Sequence, residues 1–220
     1  MVQAIQASKV TLGELRQHFG LSEAENPQFF TEWLAIDSQL SEADAAEVSR
    51  VRGNFKYLLE EPPLLEEAVK MVVLARLLDL AAFYQPPFRI RPELGIEISS
   101  PAEDGAIVRG NIDVLVILGQ LWVLAIEAKM TTFALNVALP QALSYMLSSP
   151  GAIAFGLLTN GAEFAFVKLS KEEKKISLPF HARFSLYAPG NELAAVLKDS
   201  ASSRAADAQT SGRSQPSENL

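Results

Sequence analysis

The residues able to do chemistry lie close together: Asp113, then after thirteen intervening residues Glu127, Ala128 and Lys129. Carboxylates are hard oxygen ligands and a lysine ammonium is a compact positive group. Together they are what Mg²⁺-dependent cleavage of a phosphodiester needs. The segment around them dictates how they meet. Two apolar runs rich in β-branched residues, Ile112 to Leu118 and Leu121 to Ile126, flank Gly119-Gln120 and read as a tight β-hairpin. If the hairpin turns about Gln120, Asp113 lies directly across from Glu127. Lys129 then projects from the same face two residues on. Opposed residues have Cβ atoms roughly 5 Å apart. Two carboxylates at that distance repel by about 3 kcal/mol at an effective dielectric near 20. A divalent cation between them turns the repulsion into a binding site.

The flanking elements must hold that ribbon. Pro62-Pro63 breaks the chain ahead of the strongest helical pattern, residues 64 to 84, with Val69, Val72, Val73, Leu77 and Leu80 as its buried stripe. Glu66 and Glu67 sit in its first turn, where the helix dipole already favours them. After Pro86-Pro87, residues 88 to 99 read as a strand carrying Glu97, a lesser candidate for the site whose preferred reading is an exposed strand charge, and 100 to 105 as a polar turn. Pro140 suits the first turn of a helix running to about Leu147. Gln141 and Tyr145, four apart, share one face of it. Residues 152 to 158 and 163 to 169 form strands around Thr159-Asn160-Gly161, where Asn-Gly favours a type I′ turn. A last strand or two (176 to 187) and a short helix near 192 to 198 complete the fold. The tract 171 to 175 is a solvated turn whose charges nearly cancel.

Residues 9 to 60 read as mostly helical. Capping boxes are expected at Thr11, Ser22 and Ser41, and Leu12, Leu15, Phe19 and Leu21 form an apolar side. The first of these segments has the pattern of half a helix-turn-helix, and a capped helix packed on the core is the preferred reading. The expected organisation is an N-terminal helical arm (1 to 60), a catalytic domain (61 to 199) and a disordered tail (200 to 220) lacking periodicity.

Asp113, Glu127-Ala128-Lys129, Gln141 with Tyr145, and Phe155-Gly156-Leu157-Leu158-Thr159-Asn160-Gly161 occur in an order that resembles the PD-(D/E)XK nuclease superfamily. In particular they resemble the N-terminal nuclease domain of type I restriction enzyme R subunits, over roughly residues 63 to 170. Ile112 stands where the motif's name has Pro. The resemblance implies an α/β restriction-endonuclease-like core, a mixed central sheet flanked by helices. It implies a metal-dependent deoxyribonuclease, an endonuclease rather than an exonuclease, with Mg²⁺ or Mn²⁺ held by Asp113, Glu127 and an acid of the first helix, Glu67 being favoured over Glu66. Lys129 would act on the attacking water, and Gln141 would reach toward the metal or the DNA backbone with Tyr145 beside it. DNA is the expected partner, with room for a helicase or methyltransferase partner and for a homodimer. The same residues admit a duller reading, in which Glu67 serves only the helix dipole and Gln141–Tyr145 is a polar pair at a packed edge. The rival function is a non-catalytic DNA-binding or assembly subunit on the same fold.

Composition sets the limits. The chain has 220 residues, 49% of them apolar, a net charge of −7 and no cysteine. Disulfides, thiolate zinc sites and a cysteine nucleophile are excluded. An acidic total is unusual for a DNA-binding protein, whose grip comes from Lys and Arg neutralising phosphates. His18 and His181 lack metal-ligand spacing, and neither a serine-hydrolase elbow nor a Walker A sequence is present, so the chain brings no ATPase motor. No transmembrane helix or signal peptide is expected, which points to the cytoplasm.

Overall fold

The computed structural model describes residues 4–31, 40–100, 106–118, 121–177, 183–188, 193–195 and 197–198. The expected turns at 100 to 105 and at Gly119-Gln120 fall largely outside these residues, as do His181 and the tail from 199. The elements in order are β1 (Ala4–Gln6), α1 (Leu12–Phe19), β2 (Ser22–Glu23), α2 (Glu42–Leu58), α3 (Glu66–Val69), α4 (Ala75–Leu80), β3 (Phe88–Ser99), β4 (Ile107–Leu118), β5 (Leu121–Ala128), α5 (Leu135–Ser148), β6 (Ile153–Thr159), β7 (Glu163–Ser170), β8 (Lys175–Ile176) and β9 (Arg183–Ser185). All nine strands join one sheet in the order β1-β4-β5-β6-β7-β8-β2, with β3 also on β4 and β9 also on β7.

The architecture is the expected mixed α/β one. β3, β4 and β5 pair antiparallel, whereas β5 and β6 are parallel. Parallel neighbours need a crossover, and α5 supplies it. Each face of the sheet carries a core. On one, α2 to α4 pack Phe55, Val73 and Leu77 onto Val116, Ile126 and Leu157. On the other, α1 and α5 pack Leu15, Leu143 and Met146 onto Leu115, Ala125 and Leu158. Covered on both faces, the central strands read as near-continuous apolar runs. Any charge in them therefore stands out.

The N-terminal segment is helical in α1 and α2, and it also lends two strands to the sheet. β1 pairs with the start of β4 and β2 with β8. Thr11 caps α1 in a reciprocal box with Glu14, whose N–H donates to Thr11 Oγ1 at 3.1 Å, and Ser41 with Asp44 does the same for α2. Thr11→Ala should therefore lower stability by about 1 kcal/mol in a urea titration. Ser22 caps nothing: its N–H donates to the Lys174 carbonyl (2.9 Å), because β2 pairs there. The half helix-turn-helix pattern accordingly lacks a second helix; Gly20, at φ 70, ends α1 and the chain turns into β2.

The helix expected over 64 to 84 spans 66 to 80, with a π-helical turn at Lys70–Leu74 between α3 and α4. The extra residue of a π turn rotates the rest of the helix about its axis. Leu74 and Leu78 are buried with Val69, Val73 and Leu77, while Leu80 is only half-buried. α5 begins at Leu135, five residues before the expected start, and Pro140 lies inside it. Pro140 has no N–H to give Asn136. Burial of Leu135, Ala138 and Leu139 holds the extra turn.

The β6–β7 turn is not type I′, which needs positive φ at both central residues. Among the described residues there, only Gly161 has it (φ 86). Asn160 Oδ1 instead accepts from the N–H groups of Ala162 (3.2 Å) and Glu163 (2.9 Å). A Cβ on Gly161 would lie 2.7 Å from Phe55, whose ring is wholly buried. Gly161→Ala should cost about 2 kcal/mol in chemical denaturation, from backbone strain and overpacking together.

Candidate active site

Asp113 and Glu127 reach one spot because the hairpin contains a bulge. Leu118 pairs with Leu121 and Ile117 with Trp122, which leaves two residues for the turn. Continued evenly, that ladder would set Asp113 against Ile126. The register shifts between Val116 and Ile117: Val116 pairs with Leu124, so Val123 is the extra residue on β5. Beyond it Val114 pairs with Ile126, and the next residues outward are Asp113 and Glu127. Bulges re-aim side chains in this way.

Both carboxyls are deeply placed, Asp113 being 7% exposed and Glu127 1%. Asp113 Oδ2 accepts from the Ala128 N–H at 2.7 Å, which fixes it against the neighbouring strand. Glu127 Oε1 accepts from Lys129 Nζ. Glu127 Oε2 is buried and has no hydrogen-bond partner among the described residues. Burial, with the charge of Asp113 added, pushes Glu127 up to about 8. Burial likewise pushes Asp113 up to about 6, although the Ala128 hydrogen bond pulls it down. A buried carboxylate oxygen without a partner is costly, and a cation is the natural remedy.

Lys129 comes directly after the strand, its N–H donating to the Thr159 carbonyl on β6 at 2.8 Å. Of the two acids on the first helical turn, Glu66 lies nearer this group. Its Oε2 is 3.8 Å from Lys129 Nζ and its Oε1 is 3.3 Å from Lys70 Nζ. Its charge is felt by both Asp113 and Glu127. Glu67 pairs with Lys70 at 2.9 Å, and its side chain is 76% exposed. Gln141 Nε2 donates to the Tyr145 hydroxyl at 2.6 Å. Tyr145 is itself buried, and burial together with the charge of Glu127 pushes its hydroxyl above the ordinary tyrosine range. Gly110 makes room for this ring: a Cβ there would lie 3.2 Å from Tyr145 and 2.6 Å from Ala7. Glu97 stays apart, paired with Arg109 across the strands at 2.6 Å, both half-exposed.

Sequence reasoning missed Lys70 and Glu93. Lys70 Nζ sits among four carboxylates, those of Glu67 (2.9 Å), Glu66 and Glu93 (both 3.3 Å) and Asp113 (3.4 Å). Burial lowers its pKa, but these neighbours hold it well above the ordinary lysine range. Glu93 lies between the pairs Pro92–Val114 and Leu94–Ile112, hence across from Asp113, and adopts φ 50. Left-handed backbone at a residue other than glycine is strained and collects at functional sites. Spacing three and four residues from Glu67 and Glu66 was the one visible signal for Lys70. Among the described residues no three His, Asp or Glu side chains converge as a ready-made metal cage. The ammonium of Lys70 fills the space between Asp113 and the helix acids. The donors present are nonetheless all oxygen. Asp113, Glu127 and Glu66 could hold a hard cation such as Mg²⁺, and the orphaned Glu127 oxygen fits that use.

No protein-family model matches the chain, and no curated protein matches it. Among solved structures it is similar to a fragment described as a putative HsdR subunit of a type I restriction enzyme from Vibrio vulnificus YJ016. The two are 17% identical, with a TM-score of 0.41, over 64% of this chain and 26% of that one. The chain thus spans about a quarter of that structure's length. Such a likeness assigns no activity. Two clefts share Ser8 and Gln141 at the edge of the candidate site. One of about 600 Å³ is lined by Gln6, Arg109, Asn111, Gln141 and Tyr145 among others. The second, about 410 Å³, opens beside Glu66 and Lys129 and also borders Gln141 and Ser8. Among the described residues no helix is long and apolar enough to cross a membrane.

Proposed function

We propose that the chain is a divalent-metal-dependent DNA phosphodiesterase acting at Asp113, Glu127 and Lys129. The observation that best supports this is the Glu127 carboxylate, buried to 1% exposure with one oxygen unpartnered, beside Asp113 and Lys129. Asp113, Glu127 and Glu66 hold Mg²⁺ or Mn²⁺ in this reading, Glu66 serving where Glu67 was expected. When bound, such an ion lowers the pKa of water and offsets charge on phosphate oxygens. The Ala128 N–H keeps Asp113 oriented. Lys129 Nζ, held on Glu127, orients the attacking water and faces the charge that develops on the phosphoryl oxygens. Gln141 stands at the junction of the two clefts, its amide placed to meet the substrate backbone, with the Tyr145 hydroxyl fixing its direction.

One observation favours the rival, a non-catalytic DNA-binding or assembly subunit. Lys70 already sets one ammonium among the helix acids and Asp113, so the cluster has a resident cation of its own. Incubating purified protein with Mg²⁺ or Mn²⁺ and plasmid or single-stranded DNA separates the two. Cleavage that disappears on chelation supports the nuclease. Cleavage that survives in Asp113→Ala and Lys129→Ala variants rejects it.

A further inference from the structure

The proposed chemistry uses the polar floor of the site and leaves one wall unexplained. The cleft beside Lys129 is walled by Leu65, Met130, Phe133 and Val137. Leu65 is 63% exposed, Val137 58% and Phe133 36%. Apolar side chains gathered in the open mark a binding surface. These are also held in place. Thr131 N–H donates to the Leu64 carbonyl (3.1 Å), and Leu64 N–H donates to Thr131 Oγ1 (3.2 Å). Phe133 N–H donates to the Met130 carbonyl (2.9 Å), and Asn160 Nδ2 donates to the Phe133 carbonyl (3.0 Å). The loop after Lys129 is therefore pinned from two directions, yet it presents an aromatic ring to solvent.

Charge limits what can lie against this wall. Among the described lining residues Lys129 is the sole cation, and it is paired with Glu127, while Glu66 and Glu67 add negative charge. A duplex is gripped through phosphates by several Lys and Arg, and this cleft offers only the paired Lys129. An unpaired base instead presents an apolar face that stacks on aromatic rings without regard to sequence. The volume, about 410 Å³, lies in the range of small-ligand sites. We propose that this cleft receives an unpaired nucleobase stacked on Phe133, so that the substrate strand is single where it passes Lys129. The inference rests on the nuclease reading and names its substrate class.

The test measures anisotropy of a labelled oligothymidylate, the same oligomer with abasic sites, and a duplex of equal length, in EDTA so that nothing is cut. Wild type should bind the single strand at least about 10-fold more tightly than the duplex or the abasic oligomer. Phe133→Ala should lose about 10-fold for the single strand alone, as expected for one lost stack. Phe133→Trp, which keeps a stacking face, should retain binding. Val137→Asp, at an exposed position, should weaken it. Equal or tighter binding of the duplex, or of the abasic oligomer, overturns the proposal. So does a Phe133→Trp variant that folds and fails to bind, or a protein dimer that Phe133→Ala disperses, which would assign the wall to a second copy. A parallel Mg²⁺ digestion keeps the two readings apart. Cleavage lost in Asp113→Asn but equal on both DNA forms sinks the base site and spares the nuclease. Phe133-dependent single-strand binding without cleavage in any metal does the reverse.

Discussion

Lys129→Met should lower Mg²⁺-dependent DNA cleavage about 10²- to 10³-fold, with little change in the far-ultraviolet spectrum. Lys129 is half-buried at the end of β5, and its ammonium touches Glu127 and approaches Glu66. Removing it takes away the hydrogen-bond donor to Glu127 Oε1. It also removes the positive group facing the phosphate, a loss that in other sites costs that range in rate. Asp113→Asn should do the same for a different reason. The amide keeps the shape and can still accept from Ala128 N–H, but it removes one of the charges that hold a cation. Stability separates the two variants from simple unfolding. Asn keeps the Ala128 hydrogen bond but sets its NH2 where Oδ1 faced Lys70, a loss that relief of a carboxyl pushed up to about 6 offsets, so Asp113→Asn should melt close to wild type in metal-free buffer. An Asp113→Asn protein that cleaves at the wild-type rate would remove the acid from the mechanism.

The second large effect concerns Glu127 and pH. Its carboxyl is pushed up to about 8 by burial and by Asp113, whereas in the unfolded chain it titrates near 4.5. Between those values the folded protein holds a proton that the unfolded chain has released, so stability falls as pH rises from about 5 to 8. Metal-free wild type should lose on the order of a few kcal/mol over that window, and Glu127→Gln markedly less. Adding Mg²⁺ at pH 8 should raise the melting temperature of wild type, because a ligand that binds only the folded form stabilises it. The same addition should leave Glu127→Gln nearly unmoved. Thermal scans with EDTA and with Mg²⁺ at pH 5.5 and 8 check all four arms. A wild type indifferent to both metal and pH would favour the assembly subunit, with Lys70 as a permanent counter-ion.

Much of the site was legible in the sequence because the hairpin announces itself. Near-continuous apolar runs interrupted by only Asp113 and then Glu127 and Lys129 leave few ways to arrange those charges. The strands Phe88–Ser99 and Ile153–Thr159 fall within a residue of their expected bounds for the same reason. What stayed hidden depended on contacts far apart in the chain. Lys70 lies 43 residues before Asp113, and nothing in the local pattern says that the two meet. Pro140 reads locally as a helix start. Burial of Leu135 and Leu139 against the second core overrides that preference and lengthens α5. That Glu66 lies nearer Lys129 than Glu67 does depends on a rotation about the helix axis that no propensity specifies, since both suit a first turn equally.

The extra residue on β5 makes the two acids neighbours by arithmetic rather than by proximity in an even ribbon. Loss of Val123 would leave Asp113 facing Glu127, now in an unbroken ladder with the same outward pairs. Flattening the irregularity without losing a residue would do the opposite. Every side chain beyond it would slide by one, sending Glu127 to the far surface of the sheet while the ribbon stays zipped. Lineages could thus disarm such a protein, or rearm it, through a slip in strand pairing that leaves all three charged residues in the gene.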